Sequence, residues 1–189
     1  MNFFQEVTDI QSSIDQGDFF VDIDFPAIDT RVNCVVITPT CDLQQQKAQF
    51  IKFIPTVPLD FVIKIIADSI DIDESYFHSV NRISRKKHDK LLNTFRRNTS
   101  GDFLPRYFLL PKYGDIITAS YLDFQMVFVK PFHQVLNEYI SNRRARILSP
   151  WRDSIASQYA GYSMRIGTPL YSDDELDELL KSVGLKLPE

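Results

Sequence analysis

The chain has 189 residues, 44% of them hydrophobic and 13% aromatic, and a formal net charge of −4. That apolar content excludes global disorder and is enough for one continuous core. Six glycines without a glycine-rich loop argue against a phosphate-binding loop, and no run of 18 apolar residues predicts a membrane-spanning helix.

In chain order, residues 2–16 place Phe3, Phe4, Val7, Ile10 and Ile14 at helical spacing, predicting an amphipathic helix ended by Gly17. No Lys or Arg occurs in the first 18 residues, so no signal-peptide leader is expected. Asp18 to Ile23 reads as a strand closed by Phe25 and Pro26. Asn33 to Thr38 is apolar on both faces and predicts a central strand, ended by Pro39. Gln49 to Ile54 alternates again and is expected to stop at Pro55. Between Leu59 and Phe77, the residues Phe61, Ile65, Ile66 and Ile70 suit a helix or an irregular covering segment. Ser79 to Arg97 predicts a basic helix with Leu91, Leu92 and Phe95 on its buried edge, followed by a turn over 98–102. Tyr107 to Leu110 and Ser120 to Val129 read as two more strands. Helices are expected over 134–139, over 150–165 and from Ser172, where Ser172 and Glu175 form a capping box. No linker or repeat interrupts this order, so the expectation is one α+β domain over 1–189. Its β core covers about 17–130 and its helical part about 131–189.

Charge is distributed unevenly. Residues 1–30 carry seven acids and no base, whereas Arg82 to Arg106 carries eight bases against Asp89 and Asp102. Arg143, Arg144, Arg146, Arg152 and Arg165 form a second basic set, and the tail from Asp173 to Glu178 is acidic. Such asymmetry marks either an anionic partner or an internal match of opposite faces. Within the basic segment, Arg85, Lys86, Lys87, Arg96 and Arg97 form a stripe suited to phosphates, and Tyr76, Phe77, Phe95 and Tyr107 flank it. The competing reading is a solvated helix face with its aromatics in the core.

The most distinctive string is Thr38-Pro39-Thr40-Cys41-Asp42-Leu43, directly after the central strand. It offers hydroxyls, a thiol and a carboxylate where loops often carry function, so Thr38, Thr40, Cys41 and Asp42 are candidate binding residues. A nucleophilic Cys41 would need a base to form its thiolate, and none of His78, His88 and His133 lies in a recognisable partner motif. The plain alternative is that Cys41 packs while Asp42 and the threonines cap the turn. Two cysteines, Cys34 and Cys41, make neither a disulfide framework nor a zinc site, so a reducing cytoplasm is the expected setting. Asp22 and Asp24 share one strand face and could hold a cation or simply form a solvated edge; no metal or cofactor is expected.

Gly17-Asp18-Phe19-Phe20, Phe25-Pro26, Arg31 before Val35-Val36-Ile37-Thr38, and the strand running into Pro55-Thr56 together resemble the opening of the SH3-like barrel of PemK/MazF toxins. With its Thr38 to Leu43 string, the same region is also similar to little-characterised prokaryotic proteins carrying an S/T-x-x-C-D-L signature. The strands Arg106 to Pro111 and Tyr121 to Phe124 match that group, as do Arg146, Leu148, Pro150, Arg152 and residues 165–169. The resemblance implies a small SH3-like β-barrel or a twisted antiparallel sheet with N- and C-terminal helices. From the toxins it also implies metal-independent RNA cleavage, with Arg31 and Thr56 at the matching positions. The chain departs from that class in its greater length and in an acidic N-terminal helix expected where RNA would approach.

Two functions follow as expectations. The first is a non-catalytic binding or adaptor subunit for a protein partner or nucleic acid, in the setting of a prokaryotic toxin–antitoxin or anti-phage defence system. Its contacts would be the Thr38 to Leu43 loop, the basic stripe and Arg106, Arg152 and Arg165. The second is a divergent ribonuclease in which Arg31 stabilises charge on phosphorus while Thr56, or Cys41, orients or attacks. An open concave surface shared by Arg31 and Thr56 would favour the second.

Overall fold

The computed structural model describes residues 2–9, 12–45, 47–73, 76–77, 83–99 and 104–164, the side chain of residue 99 excepted. It is a mixed α+β fold built on one antiparallel sheet of eight strands. These are β1 (Phe4–Glu6), β2 (Asp18–Phe25), β3 (Ile28–Val36), β4 (Phe50–Pro58), β5 (Tyr107–Leu110), β6 (Ser120–Asp123), β7 (Phe128–Pro131) and β8 (Arg143–Ile147). The order is β1-β8-β2-β3-β4-β6-β5, with β7 also pairing β4. The sheet does not close on itself, so the open form of the expected fold is the one adopted.

Among the described residues, five α segments accompany the sheet: α1 (Thr40–Gln44), α2 (Leu59–Asp68), α3 (Arg85–Thr99), α4 (Phe132–Gln134) and α5 (Trp151–Ser163). A π-helical turn (Val135–Tyr139) and a 3-10 turn (Ile140–Asn142) carry α4 into β8. The helix expected from Ser172, the acidic tail and Arg165 lie outside the described residues.

The inner strands are buried on both faces, which is why they read as continuous apolar runs. Phe19, Val35 and Ile54 join one core with Ala145, Ile147, Leu122 and Ile155 of α5. Their neighbours Phe20, Cys34, Val36 and Phe53 join a second core with Leu43 of α1 and Val135 of the π turn. Alternation along each strand therefore feeds two cores. At the far end, Val62 and Ile66 of α2 pack with Tyr107 and Tyr121, and Leu91 and Phe95 of α3 close the cluster.

The N-terminal helix expected over residues 2–16 is not formed. Phe4–Glu6 instead pairs with β8, Phe4 opposite Ile147, and Leu148 N–H donates to the Phe3 carbonyl at 2.9 Å. The reason lies in a buried arginine. Arg143 donates to the carbonyls of Asp9, Ser12 and Ser13 at 3.2, 2.8 and 2.9 Å. In a helix those carbonyls would bond amides four residues on; here the guanidinium takes them and the backbone stays irregular.

Pro55 does not end β4, which continues to Pro58 with Pro55 opposite Cys34. Lys52 has both backbone groups on the β3 side, since Ile37 N–H donates to its carbonyl and its own N–H donates to Thr38 Oγ1. Alternation then turns the Pro55 nitrogen to the opposite edge. There it falls between the last β7 pair, Phe53–Phe128, and the first β6 pair, Thr56–Leu122. The missing N–H meets a gap in the ladder, so no hydrogen bond is lost.

Candidate nucleic-acid interface

Beyond Cys34–Pro55 the regular β3–β4 pairing stops, although Thr56 Oγ1 still donates to the Asn33 carbonyl at 3.3 Å. β4 meanwhile pairs with β6 and runs straight into α2 at Pro58. The parting strands leave an open cleft of about 850 Å3, lined by Arg31 and Asn33 from β3, Thr56 and Pro58 from β4, Ser120 from β6, and Asp60 and Ile63 from α2. Arg31 and Asn33 alternate onto one face of β3, as Thr56 and Pro58 do on β4, and all four line the cleft. The cleft therefore unites Arg31 and Thr56.

Asp22 also lines this cleft, aimed there by backbone geometry. Its φ is +53°, in a β2–β3 irregularity between Phe20 and Ile23, and its N–H donates to Asn33 Oδ1 at 3.2 Å. Bulges of this kind re-aim side chains beside functional clefts. The sequence marks Asp22 only as a possible cation ligand beside Asp24, and it does not mark Asp60. Asp22 lay in an alternating strand and Asp60 in an apolar-acidic run; only the bulge and the β4–α2 junction bring them together.

The basic stripe forms most of the outer surface of α3. Leu91, Thr94, Phe95 and Asn98 turn inward, whereas Arg85, Lys86, Lys90, Arg96 and Arg97 share the exposed face with one carboxylate, Asp89. From Arg85 to Arg97 this ridge extends about 18 Å. Arg96 Nη1 donates to Asn93 Oδ1 at 3.4 Å. Lys87, half-buried, donates to the Asp71 carbonyl at 3.1 Å and lies over the Tyr76 ring. α2 joins ridge and cleft, since Ile63 lines the cleft while Val62 and Ile66 share a cluster with Leu91 and Phe95.

The Thr38 to Leu43 loop is woven into the fold. Thr38 is buried and accepts the Lys52 N–H at 2.7 Å. Thr40 donates to Asp15, and Leu43 enters the second core. Cys41 is exposed, with its thiol 3.7 Å from the carboxylate of Asp42. Cys34 is fully buried, which pushes its thiol well above the ordinary range.

Arg106 makes a two-pronged bond to the buried Asp123, at 2.6 and 2.5 Å. Arg152 lies 3.9 Å from Asp15 and 3.3 Å from Asp153. Asp15 thereby ties Arg152 to Thr40 and to Arg146, which is 3.7 Å from it. Arg165 lies outside the described residues, as do Arg82 and His78.

No model of a known protein family matches the chain, and neither curated proteins nor solved structures match it.

Proposed function

We propose that the protein is a non-catalytic binding module for single-stranded nucleic acid, with the α3 ridge following the backbone and the cleft seating part of the strand. The observation that carries this reading is the exposed face of α3, with five cations against one carboxylate in a chain of net charge −4. A field so concentrated attracts a polyanion in spite of the overall charge. The cytoplasm and a prokaryotic toxin–antitoxin or anti-phage system suit such a module, as does the resemblance to SH3-like barrels. A protein partner with an acidic face is the competing ligand for the same ridge.

A second reading, a metal-independent ribonuclease, is favoured by one specific observation: Arg31 and Thr56 line the same open cleft. The acidic N-terminal segment expected to obstruct RNA pairs instead at the β1 end of the sheet, with β8, β2 and β3 between it and β4. Arg31 would hold charge developing on phosphorus, and Thr56 would orient the strand.

One experiment separates these readings: labelled single-stranded RNA incubated with the protein and EDTA, alongside Arg31→Ala. A salt-sensitive mobility shift with intact RNA is the expected result. Cleavage lost in Arg31→Ala would establish the ribonuclease instead. Neither shift nor cleavage would sink both readings and direct the search to an acidic protein.

A further inference from the structure

We infer that a groove between α2 and the segment following it stacks a base of the bound strand; this rests on the nucleic-acid reading above and deepens it. Along α2, Phe61, Ile65 and Asp68 recur at helical spacing, beside the buried stripe of Val62 and Ile66. After the helix, Asp71 takes a left-handed φ of +61°, and the Ile72 N–H donates back to the Ala67 carbonyl at 3.0 Å. The chain thus returns toward α2, and Phe61, Lys64, Ile65, Asp68, Ile72 and Phe77 line a groove of about 410 Å3. That is the size of an ordinary ligand site.

Two aromatic rings share this lining. Phe77 is half-buried, but Phe61 leaves 49% of its surface exposed. A phenyl ring so placed forgoes much of the burial energy that Val62 and Ile66 gain. A single exposed aromatic is ordinary, whereas one that shares a groove with a second ring offers a platform for stacking.

Position and charge select the occupant. Phe77 also lines the cleft, so groove and cleft meet at that residue. On the other side, Ile72 follows Asp71, whose carbonyl receives Lys87 of α3 at 3.1 Å. Ile72, Phe77 and Leu91 of α3 also pack in one cluster. The groove therefore lies on the route from the cleft to the basic ridge. Its own charges, Lys64 and Asp68, are one of each sign and offer a phosphate no net attraction. A flat, uncharged base fits these rings, and the phosphates are left to the cations of α3.

Fluorescence anisotropy at one salt concentration tests this on the full chain, using labelled oligouridylate and an abasic sugar-phosphate oligomer of equal length. Phe61→Ala and Phe61→Leu should each weaken oligouridylate binding about tenfold. Phe61→Tyr, which keeps the ring, should bind like the parent protein. The abasic oligomer should bind more weakly than oligouridylate, and equally to all four proteins. Full affinity for oligouridylate in Phe61→Leu would show that no base stacks on this ring, overturning the inference while leaving nucleic-acid binding intact. An equal loss of the abasic oligomer in Phe61→Ala would overturn it too, since that oligomer has no base to stack. Failure of the parent protein to bind either oligomer would refute the stacking and the nucleic-acid reading together.

Discussion

Asp18 carries more of this structure than any neighbouring residue. It is fully buried against Arg143, 3.1 Å away, and also receives Arg146 Nε at 2.5 Å and the Asp15 N–H at 2.8 Å. Through Arg143 it fixes the irregular stretch before β2, and through Asp15 it connects to Thr40 and Arg152. Removing one partner of a buried ion pair strands the other charge, whereas replacing both with apolar groups does not. Asp18→Ala should therefore lower stability by about 3–5 kcal/mol, and Asp18→Leu with Arg143→Met by clearly less. Urea denaturation of the three proteins decides this, and equal losses would show that the pair's charge is not what matters.

A second polar cluster responds to pH. Tyr139 donates to Asp24, and the buried Lys130 sits 3.8 Å from Asp24 and over the Tyr139 ring. The bond to Asp24 raises the Tyr139 pKa from its ordinary 10.0 to about 12, and the same bond lowers that of Asp24. A raised tyrosine pKa gives stability that is complete below pH 10 and lost as pH climbs through about 12. The lowered Asp24 gives stability present above its ordinary 3.8 and lost as pH falls through the lowered value. Tyr139→Phe should flatten the stability profile at both ends. Thermal melts between pH 9 and pH 12 give the direct check on the alkaline end, where an unaltered slope would rule the bond out as its cause.

At the scale of elements, the junction before β2 depends on Gly17. Its φ of +86° is left-handed, and a Cβ there would meet the Ile147 carbonyl and the Arg152 side chain at 3.1 Å. Gly17→Ala should cost about 1–2 kcal/mol from backbone strain alone, more if the carbonyl cannot move. Chemical denaturation would reveal it, and an unchanged midpoint would contradict the geometry. The glycine is legible in sequence as a stop signal; what it stops is not. Periodicity over 2–16 suits a helix, but it cannot register that Arg143, more than 125 residues away, claims the carbonyls a helix would need. β8 escapes sequence reading for the matching reason: Arg143 occupies an inward position of an alternating strand, so the run looks like a charge cluster. Tyr107–Leu110 and the central β3 stand out because burial there uses apolar residues, the material periodicity measures. Arg31 and Thr56 are visible as individual residues by resemblance, while the cleft joining them arises from the parting of β3 and β4 and the bulge at Asp22.

Over the whole molecule, the proposed nucleic-acid binding depends on keeping opposite charges apart. Seven acids and no base occupy residues 1–30, and Asp15 and Asp18 among them are consumed by internal arginines. The cations of α3 lie on an exposed face, beyond α2 from the cleft. If RNA binds that face as proposed, it releases counterions from the strand, so log K should fall by about 0.7 per phosphate contacted for each tenfold rise in salt. Five contacts would give a slope of about −3.5 in a plot of log K against log salt, and Lys86→Ala or Lys90→Ala should each bring it about 0.7 closer to zero. Both side chains are exposed, so stability should be unchanged. Fluorescence anisotropy with a labelled oligouridylate over a salt series measures the slope. If either lysine variant keeps the full slope, that residue makes no phosphate contact; if both do, the strand does not follow α3, and any RNA held by the protein must be held in the cleft alone.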